Sequence, residues 1–130
     1  MFILDTCAFL TQKHPDGKCI TIPEIKGEII NRQSKLYFEN LLSSNLKIMD
    51  PGSEACHIVK KCARSTGDID VLSKIDINII ALGYEHKGTI VTDDFAIQNV
   101  ALALDVKFVP CSEKVIIEKR VWSYKCSACY

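Results

Sequence analysis

Five acidic residues stand where carboxylate chemistry would be useful. Asp5 follows the apolar run Phe2-Ile3-Leu4, and Asp93 and Asp94 follow the β-branched run Thr89-Ile90-Val91-Thr92. Glu28 lies beyond Thr21-Ile22-Pro23-Glu24, and Asp76 comes three residues after Ser73. Carboxylates that converge repel one another, raise one another's pKa and cost stability unless something neutralises them. A hard cation is the usual remedy, because Mg²⁺ and Mn²⁺ prefer oxygen ligands and keep several waters. Such a site activates water and braces phosphate oxygens during in-line attack. Each acid also has a structural use. Asp5 can end a strand and open a turn. Asp76 with Ser73 fits a capping box. Asp93 and Asp94 suit a helix N-terminus after a Thr92 cap, and Glu28 suits a solvated helix face. The chemical reading gains because one acid follows a buried strand and two in a row follow another.

Other chemistries find little support. His14, His57 and His86 have no metal-ligand spacing, and there is neither a phosphate-binding glycine loop nor a dinucleotide fingerprint. Cys7 sits beside Asp5, but no histidine is placed to activate it. The seven cysteines are an odd number in a chain without a visible secretory signal, which argues against a disulfide framework. Most have apolar neighbours, where a free thiol packs as a small hydrophobe. Asp16, Asp68, Asp70 and Asp105 fall in turns or loops and are expected to be structural, with Asp68 or Asp70 available as an outer shell.

The elements that must position these acids follow from periodicity. At 130 residues the chain supports one domain with a real core, and 48% hydrophobic against 25% charged residues excludes a disordered composition. No apolar run approaches the roughly 20 residues of a membrane helix, and the N-terminus lacks a basic region followed by an apolar one. The expected compartment is the cytoplasm. Short strands are expected at Phe2-Ile3-Leu4, near Cys19–Ile22, at Leu46–Met49, at Thr89–Thr92 and at Lys107–Pro110. Helical stripes are Ile22, Ile25 and Ile29; Leu36, Phe38, Leu41 and Leu42 after a start at Ser34; Ala55, Ile58, Val59, Cys62 and Ala63, ended by Gly67; Ile75, Ile79, Ile80 and Leu82, stopped by Gly88; and Ile97, Val100, Ala101 and Leu104. Alternating helices with short, apolar, β-branched strands predict an α/β fold with a parallel sheet covered on both faces. In such a sheet, ligands bind beyond the C-terminal ends of the strands. Residues 113–130 break the alternation and are expected to add a strand or hairpin, which divides the chain at residue 112. Net charge is zero, but the segment from Glu113 onward carries +2 and the rest −2. An acidic pocket beside a basic rim is compatible with that split. Lys60, Lys61 and Arg64 would join the basic tail in any contact with RNA.

These residues resemble the PIN-domain nucleases. Leu4-Asp5-Thr6-Cys7-Ala8-Phe9-Leu10 looks like their opening motif, and Thr21-Ile22-Pro23-Glu24-Ile25 running to Glu28-Ile29 looks like their second. Thr66-Gly67-Asp68, Val71-Leu72-Ser73 with Asp76, Ile79-Ile80-Ala81-Leu82 and the run from Val91 to Ala101 are similar to the NOB family within them. The resemblance covers nearly the whole chain, and its last motif is long and specific. It implies a three-layer α/β/α fold and an acidic tetrad of Asp5, Glu28, Asp76 and Asp93, with Asp94 assisting. It also implies a Mg²⁺- or Mn²⁺-dependent cut of single-stranded RNA, namely precursor rRNA in a small-subunit precursor, among ribosome-assembly factors. In that family a zinc ribbon follows the nuclease domain, and Trp122-Ser123-Tyr124-Lys125-Cys126-Ser127-Ala128-Cys129 looks like its entry.

Two features depart from the pattern. Cys7 stands where a small hydroxyl residue is common. The sequence also runs only one residue past Cys129, so one knuckle of the ribbon is present. A structural zinc site needs four ligands. Zn²⁺ at Cys126 and Cys129 is therefore expected only where a second knuckle is supplied. Two alternatives to rRNA maturation remain: a VapC-like toxin ribonuclease with the same fold and acids, and a PIN-like module that binds RNA or protein without cutting.

Overall fold

The computed structural model describes residues 1–111; the expected appended strand or hairpin and the Cys126–Cys129 knuckle lie outside the described residues. Five strands form the sheet: β1 (Phe2–Leu4), β2 (Cys19–Thr21), β3 (Leu46–Ile48), β4 (Thr89–Val91) and β5 (Lys107–Val109). All pairings are parallel, in the order β3-β2-β1-β4-β5. The central strands are apolar on both faces, and Ile3, Leu4, Ile90 and Val91 are buried. Strands like these need cover above and below.

Six helices supply that cover: α1 (Thr6–Leu10), α2 (Ile25–Glu28), α3 (Arg32–Leu42), α4 (Ser53–Thr66), α5 (Lys74–His86) and α6 (Phe95–Ala103). From β1 the chain steps through β2 to β3, then returns to the far side of β1 for β4 and β5. Right-handed crossovers therefore send α1–α3 to one face and α4–α6 to the other. Contacts agree: α1 packs with α3, while α4, α5 and α6 pack together and α5 lies on β1 and β4. This is the expected three-layer α/β/α arrangement. Among the described residues no helix is long and apolar enough to cross a membrane.

Three local details depart from the periodicity. The helix expected at Ser34 starts at Arg32, because the Asn31 side chain caps it by accepting from the Ser34 N–H at 2.9 Å. The helix α1 was not anticipated. It is a single short turn-and-a-half that opens directly on Asp5, whose Oδ1 accepts from the Thr6 N–H at 2.8 Å. Finally, Gly88 does not end α5. Lys87 takes the left-handed conformation there, with φ 51°. Gly88 is required for a different reason: a Cβ on it would meet the Met1 carbonyl oxygen at 2.9 Å and Ile3 Cδ1 at 2.5 Å. Gly67 does close α4 as expected, with φ 84°.

The chain order reverses between β1 and β4. Open parallel sheets form their ligand crevice at such a point, outside the carboxyl ends of the strands. Asp5 leaves β1 there, and Thr92, Asp93 and Asp94 leave β4 beside it.

Candidate active site

Asp5 is only 8% exposed. Its Oδ1 accepts from Thr6 N–H, and its Oδ2 accepts from the Thr92 hydroxyl at 2.7 Å. Burial pushes its carboxyl above the usual carboxylate range, the two hydrogen bonds pull it back, and the charges of Asp76 and Asp94 push it up again. Asp5, Asp76 and Asp94 therefore share one field. They reach it from three elements: the end of β1, the start of α5, and the start of α6.

The other two acids of the group are each held in place by their own element. Asp76 forms the capping box that its spacing from Ser73 predicts: its Oδ2 accepts from Ser73 N–H at 2.9 Å, and Ser73 Oγ accepts from Asp76 N–H at 3.1 Å. Its structural use and its proximity to Asp5 are thus compatible. Asp94 caps α6, with Oδ1 accepting from Ala96 N–H at 2.8 Å. The cap was expected at Thr92. That hydroxyl is committed elsewhere, donating to Asp5 and accepting from Asp94 N–H at 3.1 Å. The Thr92 carbonyl in turn accepts from the buried Gln98 side chain at 2.9 Å. Periodicity gave no signal for this role of Thr92, since a threonine ending a strand is common.

Asp93 faces a different set of partners. Its Oδ1 accepts from the Cys111 N–H at 2.7 Å, and one of its oxygens lies with Cys7 Sγ and Cys111 Sγ in a group whose atoms are all within 4.8 Å of one another. Hydrogen bonding from Cys7 and then from Thr11 lowers the Cys111 thiol to about 7 against the opposing pull of burial, while the Cys7 thiol is pushed up, first by that same bond and then by burial. Glu28 is exposed at the C-terminal end of α2, which follows β2, the neighbour of β1 in the sheet. Asp68, expected in a loop, braces two helices: its Oδ2 accepts from Thr66 Oγ1 at 2.7 Å and from Asn99 Nδ2 at 2.6 Å.

Asp5, Asp76 and Asp94 offer oxygens alone, the donors a hard divalent cation takes, but among the described residues they do not form a group with ligand atoms all within 4.8 Å of one another. The one ion pair among the described residues, Lys26 with Glu39 at 3.9 Å, is exposed and involves none of these acids. Among the described residues, no ion pair offsets their mutual repulsion.

Comparisons with known proteins agree with this architecture. Residues 2–86 match the family described as PIN domain of ribonuclease. The chain is 35% identical over 130 residues to Endoribonuclease Nob1 of Pyrococcus abyssi, covering 98% of this chain and 78% of that protein. It is 34% identical over 132 residues to Endoribonuclease Nob1 of Archaeoglobus fulgidus, with the same coverage of each. Ribonuclease VapC1 of Thermoplasma acidophilum is 33% identical over 132 residues, covering 99% of this chain and 67% of that protein.

Proposed function

This chain belongs to the PIN-domain ribonuclease family, and on that premise we propose that it is a Mg²⁺- or Mn²⁺-dependent endoribonuclease that cleaves precursor small-subunit rRNA, in the cytoplasm and among ribosome-assembly factors. The observation that carries the catalytic reading is the buried Asp5 carboxylate, placed at the switch point of the sheet in the field of Asp76 and Asp94.

In this proposal Asp5, Glu28, Asp76 and Asp93 are the catalytic acids, with Asp94 beside them. The field at Asp5 favours Asp76 and Asp94 as its partners at the cation, since one Asp93 oxygen is taken by the Cys111 N–H. Glu28 orients the attacking water or serves a second ion. When bound, the cation lowers the pKa of water and offsets charge on the phosphate. The chain's own residues do the positioning. Thr92 and Thr6 fix the two oxygens of Asp5, Ser73 fixes one oxygen of Asp76, and the start of α6 fixes Asp94. Water then attacks phosphorus in line, the opposite P–O bond breaks, and the leaving ribose oxygen takes up a proton.

RNA as substrate has support outside the acids. Lys60, His57 and Lys74 line a groove of about 510 Å³ between α4 and the start of α5, two residues from Asp76. The rest of the lining includes Ile69, Leu72 and Ile77, so only the two lysines at this groove suit a phosphate backbone. The division at residue 112 belongs to the same proposal: it falls just after β5, the last strand among the described residues. Zn²⁺ at Cys126 and Cys129 enters it only with a second knuckle.

The test is cleavage of a model precursor spanning the mature 3′ end. Cutting should require Mn²⁺ or Mg²⁺ and fall by about two orders of magnitude or more in Asp5→Asn, the scale of losing one preorganised electrostatic group. Parallel Asp93→Asn and Asp94→Asn assays rank the two neighbours. Undiminished cleavage in Asp5→Asn defeats the assignment. The likeness to Ribonuclease VapC1 supports one second reading, a toxin ribonuclease. Growth arrest on expression, relieved by Asp5→Asn, would favour it over rRNA maturation.

A further inference from the structure

The acids at the switch point are hard donors, but a second group of ligating side chains lies beside them and has a different chemistry. Cys7 sits in the first turn of α1, Asp93 follows β4, and Cys111 follows β5, so all three stand at the carboxyl ends of neighbouring strands. Cys7 Sγ, Cys111 Sγ and an Asp93 oxygen are mutually within 4.8 Å. Both cysteines are free thiols.

We propose that Cys7, Cys111 and Asp93 form a binding site for a soft divalent cation of the zinc class, beside the oxygen donors at Asp5 and sharing Asp93 with the acids named above. Thiolates select such ions, whereas Mg²⁺ and Mn²⁺ favour carboxylate, carbonyl and water. Two thiolates and one carboxylate are three protein ligands, the number that leaves a tetrahedral zinc one open position. Zn–S bonds of about 2.3 Å place tetrahedral sulfur ligands roughly 3.8 Å apart. The group therefore needs to close by only about 1 Å.

The site is also braced from outside. The Cys111 N–H holds one Asp93 oxygen at 2.7 Å, which fixes the carboxylate against the loop that carries the thiol. Thr11 Oγ1 lies 3.2 Å from Cys111 Sγ, close enough to donate to a thiolate there. Partners that orient ligands in this way are a regular part of protein metal sites. Two of the three side chains are cysteines drawn from positions 104 residues apart, which simple hydrophobic filling of the core does not require.

The test is titration of the full chain with Cd²⁺ in a non-thiol reductant, reading the ultraviolet sulfur-to-metal charge-transfer absorption. Because Cys126 and Cys129 also take Cd²⁺, the starting protein carries Cys126→Ser and Cys129→Ser. That protein should still bind one Cd²⁺ with a band of two-thiolate intensity. Adding Cys111→Ser or Cys7→Ser should remove at least half of the band. Asp93→Asn should keep the band but weaken affinity by about tenfold or more, the scale that even outer-shell partners command. A further measurement avoids the variants: one added equivalent of Zn²⁺ beyond the terminal pair should protect Cys7 of the unmutated chain from alkylation, read by mass spectrometry. No band in the double-serine protein, a band indifferent to Cys111→Ser, or Cys7 alkylated equally with and without Zn²⁺ would each overturn the proposal. None of these readouts uses RNA cleavage, so the outcome is independent of the nuclease assignment.

Discussion

The Thr92 hydroxyl donates to Asp5 Oδ2 at 2.7 Å and joins two residues 87 positions apart at the junction of β1 and β4. Both residues are buried, with Thr92 at 0% and Asp5 at 8% exposure. The same hydroxyl accepts from Asp94 N–H at 3.1 Å, so one side chain sets the positions of two acids. Where a buried carboxylate would otherwise be costly, this bond is one of the two that favour its charged form.

Thr92→Val tests that role with little change of shape. It removes the donor to Asp5 and the acceptor for Asp94 N–H, and should cost about 1–3 kcal/mol of stability through groups left unsatisfied. It also removes an interaction that lowers the Asp5 pKa, so the acidic limb of the pH–cleavage profile should move to higher pH. Thr92→Ser keeps the hydroxyl and should restore the profile. A Val variant with the wild-type profile would mean that Thr92 only fills space.

Asp5→Asn should abolish cleavage and remove the pH-dependent cost of the buried charge in the metal-free protein, at the expense of one of the two hydrogen bonds that Asp5 accepts. The Asp5 pKa is raised in the fold above its ordinary 3.8, chiefly by burial. Below 3.8 the acid is protonated in both states and carries no penalty. As pH rises through that value the unfolded chain releases its proton first, so folding loses stability until the folded pKa is passed. The advantage of Asn should therefore open as pH rises through 3.8 toward neutrality. Mn²⁺ should then raise the melting temperature of the wild type and leave Asp5→Asn nearly unchanged. Chelator-treated samples compared by calorimetry across pH give both answers; equal stability at every pH would contradict the buried-charge account.

Tyr37→Phe concerns the other face of the sheet. The Tyr37 hydroxyl is buried and has no hydrogen-bond partner among the described residues. Its ring stands edge-on to His14 at 5.9 Å. Removing a buried, unpaired polar atom should be neutral or stabilising by up to about 1 kcal/mol. Burial pushes the phenol up to about 12 from 10, so wild-type stability should fall as pH rises through that interval, where the unfolded chain ionises and the folded one does not. Phe should lose that part of the decline. Denaturant midpoints at pH 8 and pH 11 decide it, and a loss of stability in Phe at pH 8 would point to a partner for the hydroxyl.

Much of the local structure was legible because it depends on spacing alone. Ser73 and Asp76 differ by the three positions that a capping box needs, and the box is present. Gly67 takes the left-handed end of α4. Ile22, Ile25 and Ile29 are all buried, but the helix expected through them is only the four residues of α2, with Ile22 before it and Ile29 extended after it. Phe2-Ile3-Leu4 and Thr89-Ile90-Val91 form the adjacent strands whose ends carry the acids. The helix start at Asn31, the short α1 and the reason for Gly88 were harder. The first turned on which of two nearby polar residues caps the helix, the second on a segment too short to show a period, and the third on a neighbour 85 residues away at Ile3.

By itself the sequence determined the alternation of elements and put acidic residues just past two apolar strands, because side-chain period and strand-end chemistry are written in neighbouring residues. Only the tertiary structure decided which acid meets which partner. Asp93 and Asp94 are adjacent in the chain, yet Asp94 contributes to the field at Asp5 while Asp93 is bonded to Cys111. That division follows from the strand order, which sets β4 between β1 and β5 and so gives consecutive residues different neighbours. Strand order arises from long-range packing, and no local pattern records it.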